Sequence, residues 1–114
     1  MNVQHVALVI PVSRLRESAK WYDLLLEPDD ELRPAPNMVE YKKAATWIQL
    51  LEAPVVPSAN AVLFAVEDLE TEVRSLSEKG ILYDPVIEDL GVIRYVNFFD
   101  PDGNRLSLYE IVDK

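Results

Sequence analysis

The chain has 114 residues, of which 49% are hydrophobic, 27% are charged and none is cysteine, and its net charge at pH 7 is −9. This length and apolar content indicate one globular domain with a packed core, and the absence of cysteine excludes disulfides, thiolate metal sites and thiol nucleophiles. The acidic charge disfavours nucleic acid as a partner, and with no basic apolar leader or long apolar stretch we expect a cytoplasmic protein without a membrane segment.

The first half of the sequence predicts a strand, a helix and three further strands. Apolar residues alternate over residues 3–10, as they do in a half-buried strand. Ser13 is suited to be a helix N-cap, and the apolar residues after it recur at helical spacing as far as Glu27. The three strands that follow are predicted over residues 29–33, 38–43 and 46–52. Residues 54–60, rich in Pro, Ser and Asn, then form a connector.

The second half predicts the same order again. Residues 61–66 are strand-like, and Asp68 is suited to cap a helix that has acids in its first turn and ends at Lys79 and Gly80. Three more strands are predicted over residues 82–87, 91–99 and 105–112. The last two are joined by the turn sequence DPDGN, in which Gly103 supplies the positive φ. The fold class is therefore α+β, a single domain over residues 1–114 made of βαβββ modules at about 1–53 and 61–114.

In each of these two modules, one face of the sheet is expected to be left uncovered by the helix. One face of each sheet is covered by its own helix, and pairing of the two sheets would curl the remaining faces into a groove. Because side chains alternate along a strand, Trp47 shares the face of Gln49, while Arg105 and Tyr109 share the face of Ser107. Flat rings beside hydrogen-bonding groups suit a small organic ligand with a planar part, although the same rings could also pack across the groove or at a subunit interface.

Some positions stay open at this stage. Alternation allows only one of Glu40 and Tyr41 to face the groove, and the sequence does not decide which. Tyr95 and Phe98 likewise lie on opposite faces of their strand. Trp21 and Tyr22 on the first helix are assigned to packing rather than to a ligand site.

The chain resembles the vicinal oxygen chelate superfamily, which includes glyoxalase I, extradiol dioxygenases, and bleomycin and fosfomycin resistance proteins. The resemblance covers essentially the whole chain and rests on QHVALVIPVSRLRESAKWYDLLL, on AVLFAVEDLETEVRSLSEKG and on DPDGN followed by a terminal strand. It implies two paired βαβββ modules. Metal-using members carry one ligand on the first strand and one on the last strand of each half, and matching these positions gives His5, Gln49, Ala61 and Ser107.

Of these four residues, only His5 is a good metal ligand. One imidazole, one amide and one hydroxyl lack the carboxylates or further imidazoles that hold a divalent ion. Glu52 and Glu110 each follow the matched position by three residues, so alternation directs them to the opposite face. We therefore expect no metal and no cofactor. No Ser or Asp pattern near His5 indicates a nucleophilic triad, so His5 is either a packed pocket residue or a ligand contact.

The favoured hypothesis is a metal-free protein that sequesters a small organic molecule. The resemblance to bleomycin resistance proteins implies this role. The groove residues are His5, Trp47, Gln49, Ala61, Ser107 and Tyr109, and the acidic charge would suit a cationic compound. The alternatives are a metal-dependent lyase, isomerase or dioxygenase of the same superfamily, and a domain with a vestigial groove that binds a partner protein. Because small members of the superfamily are often dimers and sheet edges invite pairing, we expect a homodimer.

Overall fold

The structure is a computed structural model that describes residues 1–56, 61–89 and 91–112. Its contacts divide the chain into two compact units, Met1–Val56 and Pro57–Lys114. Each unit holds one helix and one four-stranded sheet in the order strand, helix, strand, strand, strand. The predicted α+β class and the two βαβββ modules are thereby confirmed. Neither helix in the described part of the chain is long and apolar enough to cross a membrane.

The first unit places α1 on one face of its sheet. Its elements are β1 (Ala7–Val12), α1 (Leu15–Leu26), β2 (Asp30–Ala35), β3 (Met38–Lys43) and β4 (Thr46–Glu52). The strand order is β1-β4-β3-β2, with β1 parallel to β4 and the other neighbours antiparallel. Buried apolar side chains from the helix and from alternate strand positions form the core; among them are Ile10, Val12, Ala19, Tyr22, Val39, Tyr41, Ile48 and Leu50.

The second unit repeats this arrangement. Its elements are β5 (Ala61–Ala65), α2 (Leu69–Glu78), β6 (Ile87–Asp89), β7 (Ile93–Phe99) and β8 (Arg105–Ile111). The strand order is β5-β8-β7-β6, and again only the pair formed by the first and last strands is parallel. The core of this unit includes Leu69, Leu76, Val96, Phe98, Leu106 and Leu108.

The first strand differs from its prediction at both ends. It begins at Ala7 rather than at residue 3, because Ala7 pairs with Trp47 and the partner strand begins only one residue earlier. It runs on through Pro11 to Val12, and proline is tolerated there because β1 is an edge strand. His5 therefore lies just before the strand rather than within it.

The predicted bounds of β2 and β6 also need correction. The second strand continues to Ala35, with an irregular register after Leu32, and leaves only a two-residue turn before β3. Residues 82–86 do not form a regular strand; Tyr83 makes an isolated bridge to Phe98, and β6 itself spans Ile87–Asp89. Pro85 has no backbone N–H to donate to a ladder, which accounts for the interruption. The remaining ends agree with prediction to within two residues.

Each helix begins against a glutamate from the last strand of its own sheet. The backbone N–H of Leu15 donates to Glu52 Oε2 at 2.9 Å, and that of Leu69 donates to Glu110 Oε1 at 3.1 Å. A carboxylate at this place satisfies an orphan N–H and complements the helix dipole. The predicted N-cap Ser13 is wrong, since the cap position is Arg14 and its side chain makes no capping bond. Asp68 is confirmed as the N-cap of α2, where it accepts from the N–H of Thr71.

The turn between β7 and β8 is held by its first residue. The N–H of Gly103, which has φ +82°, donates to the carbonyl of Asp100 at 3.0 Å. The Asp100 carboxylate accepts from the N–H groups of Asp102 and Asn104 and from the Asn104 amide. Asp100 and Asn104 are both buried. The hairpin predicted from DPDGN is therefore confirmed, and its polar groups serve the turn.

Candidate functional site

Each sheet has a face turned away from its helix, which we call the open face of that sheet. In the first sheet the buried residues of β4, Ile48 and Leu50, lie under the helix, so Trp47 and Gln49 lie on the open face. The register extends this face across the neighbouring strands. Gln49 is paired with Val9 and Glu40, and Trp47 is paired with Ala7 and Lys42.

His5 is held over this face by two contacts. Its Nε2 lies 2.8 Å from Glu40 Oε1. Its ring stacks on the Trp47 indole, with the ring centroids 5.4 Å apart and the planes 29° from parallel. The Glu40 side chain is 5% exposed, whereas that of His5 is 45% exposed. The three residues form a local cluster in which a buried carboxylate and an indole fix the orientation of a solvent-accessible imidazole.

The choice between Glu40 and Tyr41 is decided by their partners. Glu40 lies on the open face and contacts His5. Tyr41 lies under the helix, where its hydroxyl donates to the carbonyl of Ala19 at 3.0 Å. Burial, together with the negative charge of Glu31 and Asp23, raises the pKa of Tyr41 to about 12. Tyr41 is therefore a neutral packing residue.

The open face of the second sheet is built on the same register but carries different groups. Ser107 Oγ donates to Oδ1 of Asn97, its partner on β7. Tyr109 is paired with Tyr95, and Arg105 with Phe99. Several apolar side chains on this face are substantially exposed; they are Leu63 at 63%, Phe99 at 47%, Ile111 at 46% and Ile87 at 41%. Phe98 lies on the covered face and is fully buried, so Tyr95 is the member of that pair on the open face.

The resemblance matches Ala61 in the second unit with His5 in the first unit, but the strand register within each unit matches it with a different residue. Ala61 is paired with Arg105, two positions before Ser107, just as Ala7 is paired with Trp47, two positions before Gln49. Ala61 therefore corresponds to Ala7, and the counterpart of His5 is residue 59, which lies outside the described residues. The backbone of Ala61 belongs to β5, and its side chain is also outside the described part of the structure.

The residues at these positions do not fit a divalent metal ion of the kind used by superfamily members. The described residues contain no group of three or more His, Asp or Glu side chains arranged to hold a metal. His5 Nε2 and the Ser107 hydroxyl are engaged by neighbours, and Gln49 offers a neutral amide. Glu52 and Glu110, the nearest carboxylates along the two last strands, bond to helix N-termini on the other face.

Two neighbours of the predicted site residues were missed by the sequence reasoning. Alternation along β3 leaves Glu40 undecided against Tyr41, and no local pattern in the sequence marks Asn97. Both sit on the third strand of their unit, directly opposite Gln49 and Ser107 respectively. The signal available in the sequence was the hairpin register: pairing the strands that flank Ala44-Ala45, or those that flank DPDGN, places these residues side by side.

Comparisons with known proteins agree with this architecture. The family model for the Glyoxalase/Bleomycin resistance protein/Dioxygenase superfamily matches residues 2–108. No curated protein matches the chain.

Solved structures that share the fold include the following three. TnmS3, an antibiotic binding protein from a Streptomyces species, is 24% identical, with 97% of this chain and 98% of that chain covered and a TM-score of 0.80. A glyoxalase/bleomycin resistance protein from Catenulispora acidiphila is 21% identical, with 94% and 97% covered and a TM-score of 0.79. A fosfomycin resistance protein from Listeria monocytogenes in complex with Mn(II) is 16% identical, with 98% and 91% covered and a TM-score of 0.75. The chain belongs to the Glyoxalase/Bleomycin resistance protein/Dioxygenase superfamily.

Proposed function

We propose that this protein binds a small organic molecule on the open face of a sheet without using a metal ion. The observation that carries the proposal is that the carboxylates of the last strands and the Ser107 hydroxyl already have hydrogen-bond partners within the protein. Glu52 and Glu110 are bound to helix N-termini, and Ser107 is bound to Asn97. What the open faces offer instead is aromatic and apolar surface with a few polar groups, which is the usual lining of an organic ligand site.

Each open face, taken by itself, carries aromatic side chains that suit a ligand with a planar part. Trp47 is half-buried and already stacks with His5, so its position is fixed before any ligand arrives. Tyr95 and Tyr109 are cross-strand partners on the other sheet. Prearranged rings lose little conformational entropy on binding. The net charge of −9 adds a mild preference for cationic compounds.

Likeness to TnmS3 is consistent with this role, since that protein is described as antibiotic binding and shares the fold across nearly the whole chain. At this level of identity the likeness supports the scaffold only. The site residues of the present chain carry the argument.

Thermal denaturation in the presence of EDTA tests the proposal. A broad set of planar and cationic compounds is added to the purified protein, and a ligand at about 100 times its Kd should stabilise the fold by about 2.7 kcal/mol, a shift of several degrees in Tm. Trp47→Leu should reduce the shift. Leu24→Ala, on an exposed position of α1, should leave it unchanged.

Two results would contradict the proposal. One is a melting temperature that no compound in the set moves; the other is stabilisation that appears only when a divalent metal replaces EDTA. The expected homodimer remains a separate prediction, and light scattering that gives the mass of one chain would contradict it.

A further inference from the structure

We propose that the ligand is a planar compound with an O–H or N–H donor at its edge, and that Nδ1 of His5 is the atom that accepts this hydrogen bond. This inference rests on the proposed binding function and adds the chemical class of the ligand. It starts from the cluster formed by His5, Glu40 and Trp47 on the open face of the first sheet.

Glu40 determines which nitrogen of His5 carries the hydrogen. An ionised carboxylate is only an acceptor, so the 2.8 Å contact places the hydrogen on Nε2. A neutral imidazole with a hydrogen on one nitrogen has a lone pair on the other. In the neutral form of His5, the pair with Glu40 therefore leaves Nδ1 as an acceptor.

Nδ1 is available to a ligand. It has no hydrogen-bond partner among the described residues, and 45% of the His5 side chain is exposed. The stacking on Trp47 fixes the plane of the imidazole, and with it the direction of the Nδ1 lone pair. A donor must approach in that plane, which a hydroxyl or N–H at the edge of a flat ring lying beside the stacked pair can do.

This arrangement also discriminates against some ligands. A ketone, ether or carboxylate oxygen presented to Nδ1 would bring two lone pairs together, with no hydrogen between them. A site built to accept from a donor disfavours an analogue without the donor, because its own acceptor is then left unpaired. Methylation of the donor is therefore the sharpest chemical test.

The test compares 2-naphthol with 2-methoxynaphthalene by calorimetric titration at pH 8 in EDTA. The two probes share the planar ring and differ in whether the oxygen carries a hydrogen or a methyl group. We expect the wild-type protein to bind 2-naphthol about tenfold more tightly, which is the ratio that one hydrogen bond of ordinary strength produces.

Variants identify the acceptor. His5→Phe keeps a flat ring beside Trp47 and removes the lone pair, so it should bind both probes alike. Glu40→Gln can donate to Nε2, which moves the hydrogen to Nδ1 and should weaken or reverse the preference. Gln4→Ala, at an exposed neighbouring position, is the matched control and should keep the full preference.

The outcomes separate this inference from the binding function. Equal affinity of the wild-type protein for both probes would overturn the inference and leave the binding function standing. Failure to bind either probe would also overturn it, while the stabilisation experiment with the broad compound set decides the binding function separately. A preference that persists in His5→Phe would show that another group accepts the bond.

Discussion

The two units carry similar residues at corresponding positions of their covered faces and different residues at corresponding positions of their open faces. Tyr41 in the first unit and Phe98 in the second occupy the same register position, opposite the buried residues Ile48 and Leu106. The last-strand glutamates also correspond, since each bonds to the first N–H of its own helix. On the open faces, Glu40 and Gln49 of the first unit stand where the second has Asn97 and Ser107.

This difference separates the residues that build the module from those available for ligands. The covered face must exclude water and satisfy the helix N-terminus, and these demands are the same in both units. The open face carries no such demand, so its polar pairs can differ. A carboxylate on the last strand is therefore part of the framework in this chain rather than part of a metal site.

The largest expected effect tests the division of β7 into two faces. Phe98→Ala should destabilise the protein by about 3–5 kcal/mol, because it leaves a cavity under α2 where the side chain is fully buried. Phe99→Ala, on the 47% exposed neighbour, should cost less than about 1 kcal/mol. Chemical denaturation measures both losses. Similar losses for the two variants would show that the faces are wrongly assigned.

The two capping glutamates should differ in strength. Glu110→Ala is expected to cost about 2 kcal/mol and Glu52→Ala about 1 kcal/mol. The first loss is larger because Glu110 is only 15% exposed and also lies 3.9 Å from Arg94 Nη1, whose charge would lose a partner. Asn37 stands at the corresponding position beside Glu52 and carries no charge.

Denaturation curves at neutral pH compare these variants. Glu88→Ala is the control, because Glu88 also lies near Arg94 but its side chain is 73% exposed. Its loss should be small. A loss for Glu52→Ala as large as that for Glu110→Ala would contradict the proposed role of Arg94.

Adding a carboxylate to the open face should make the first unit more like a metal site. Gln49→Glu places a second acid opposite Glu40 and on the face over which His5 lies. Like charges on paired strands should destabilise the metal-free protein by up to about 1 kcal/mol, and Zn²⁺ should then raise Tm more than it does in the wild type. Thr46→Glu adds the same charge to the other face and should show no such gain. An equal Zn²⁺ response in both variants would contradict the assignment of the open face.

The last prediction concerns the hydroxyl that distinguishes Tyr41 from Phe98. Tyr41→Phe removes the bond to the Ala19 carbonyl and should cost about 1 kcal/mol at pH 7. The folded state raises the pKa of Tyr41 from 10.0 to about 12, so the unfolded chain ionises first. The wild type should therefore lose stability as pH rises from 10 to 12, and the variant should lose less over that window. Parallel losses would contradict the buried position of the hydroxyl.

Much of the fold could be predicted from local patterns. Helical spacing and the Asp68 cap locate α2, and DPDGN locates the last hairpin because its conformational needs are local. The errors arose where tertiary pairing decides. β1 begins at Ala7 because its partner β4 begins at Thr46, and the first N–H of α1 is satisfied by Glu52, which reaches that helix from a distant strand.

For the site, the sequence predicts which side chains share one face of a strand, but it does not predict the contacts between them. Alternation placed Trp47 with Gln49, and it placed Glu52 on the face opposite to Gln49 and Glu110 on the face opposite to Ser107. The contacts that give the site its chemistry join separate segments, as in the bond of His5 to Glu40 across 35 positions of sequence. No local pattern shows such a pair, because it depends on register between strands and on the path of the chain before β1.

The central claim is that this member of the superfamily binds its ligand without metal, and metal titration tests it most directly. Untagged, metal-stripped wild-type protein is titrated calorimetrically with Zn²⁺, Mn²⁺ and Ni²⁺. We expect no stoichiometric binding, because the carboxylates of the last strands bond to helix N-termini. Tight binding of one ion per chain that is lost in His5→Ala would contradict the account.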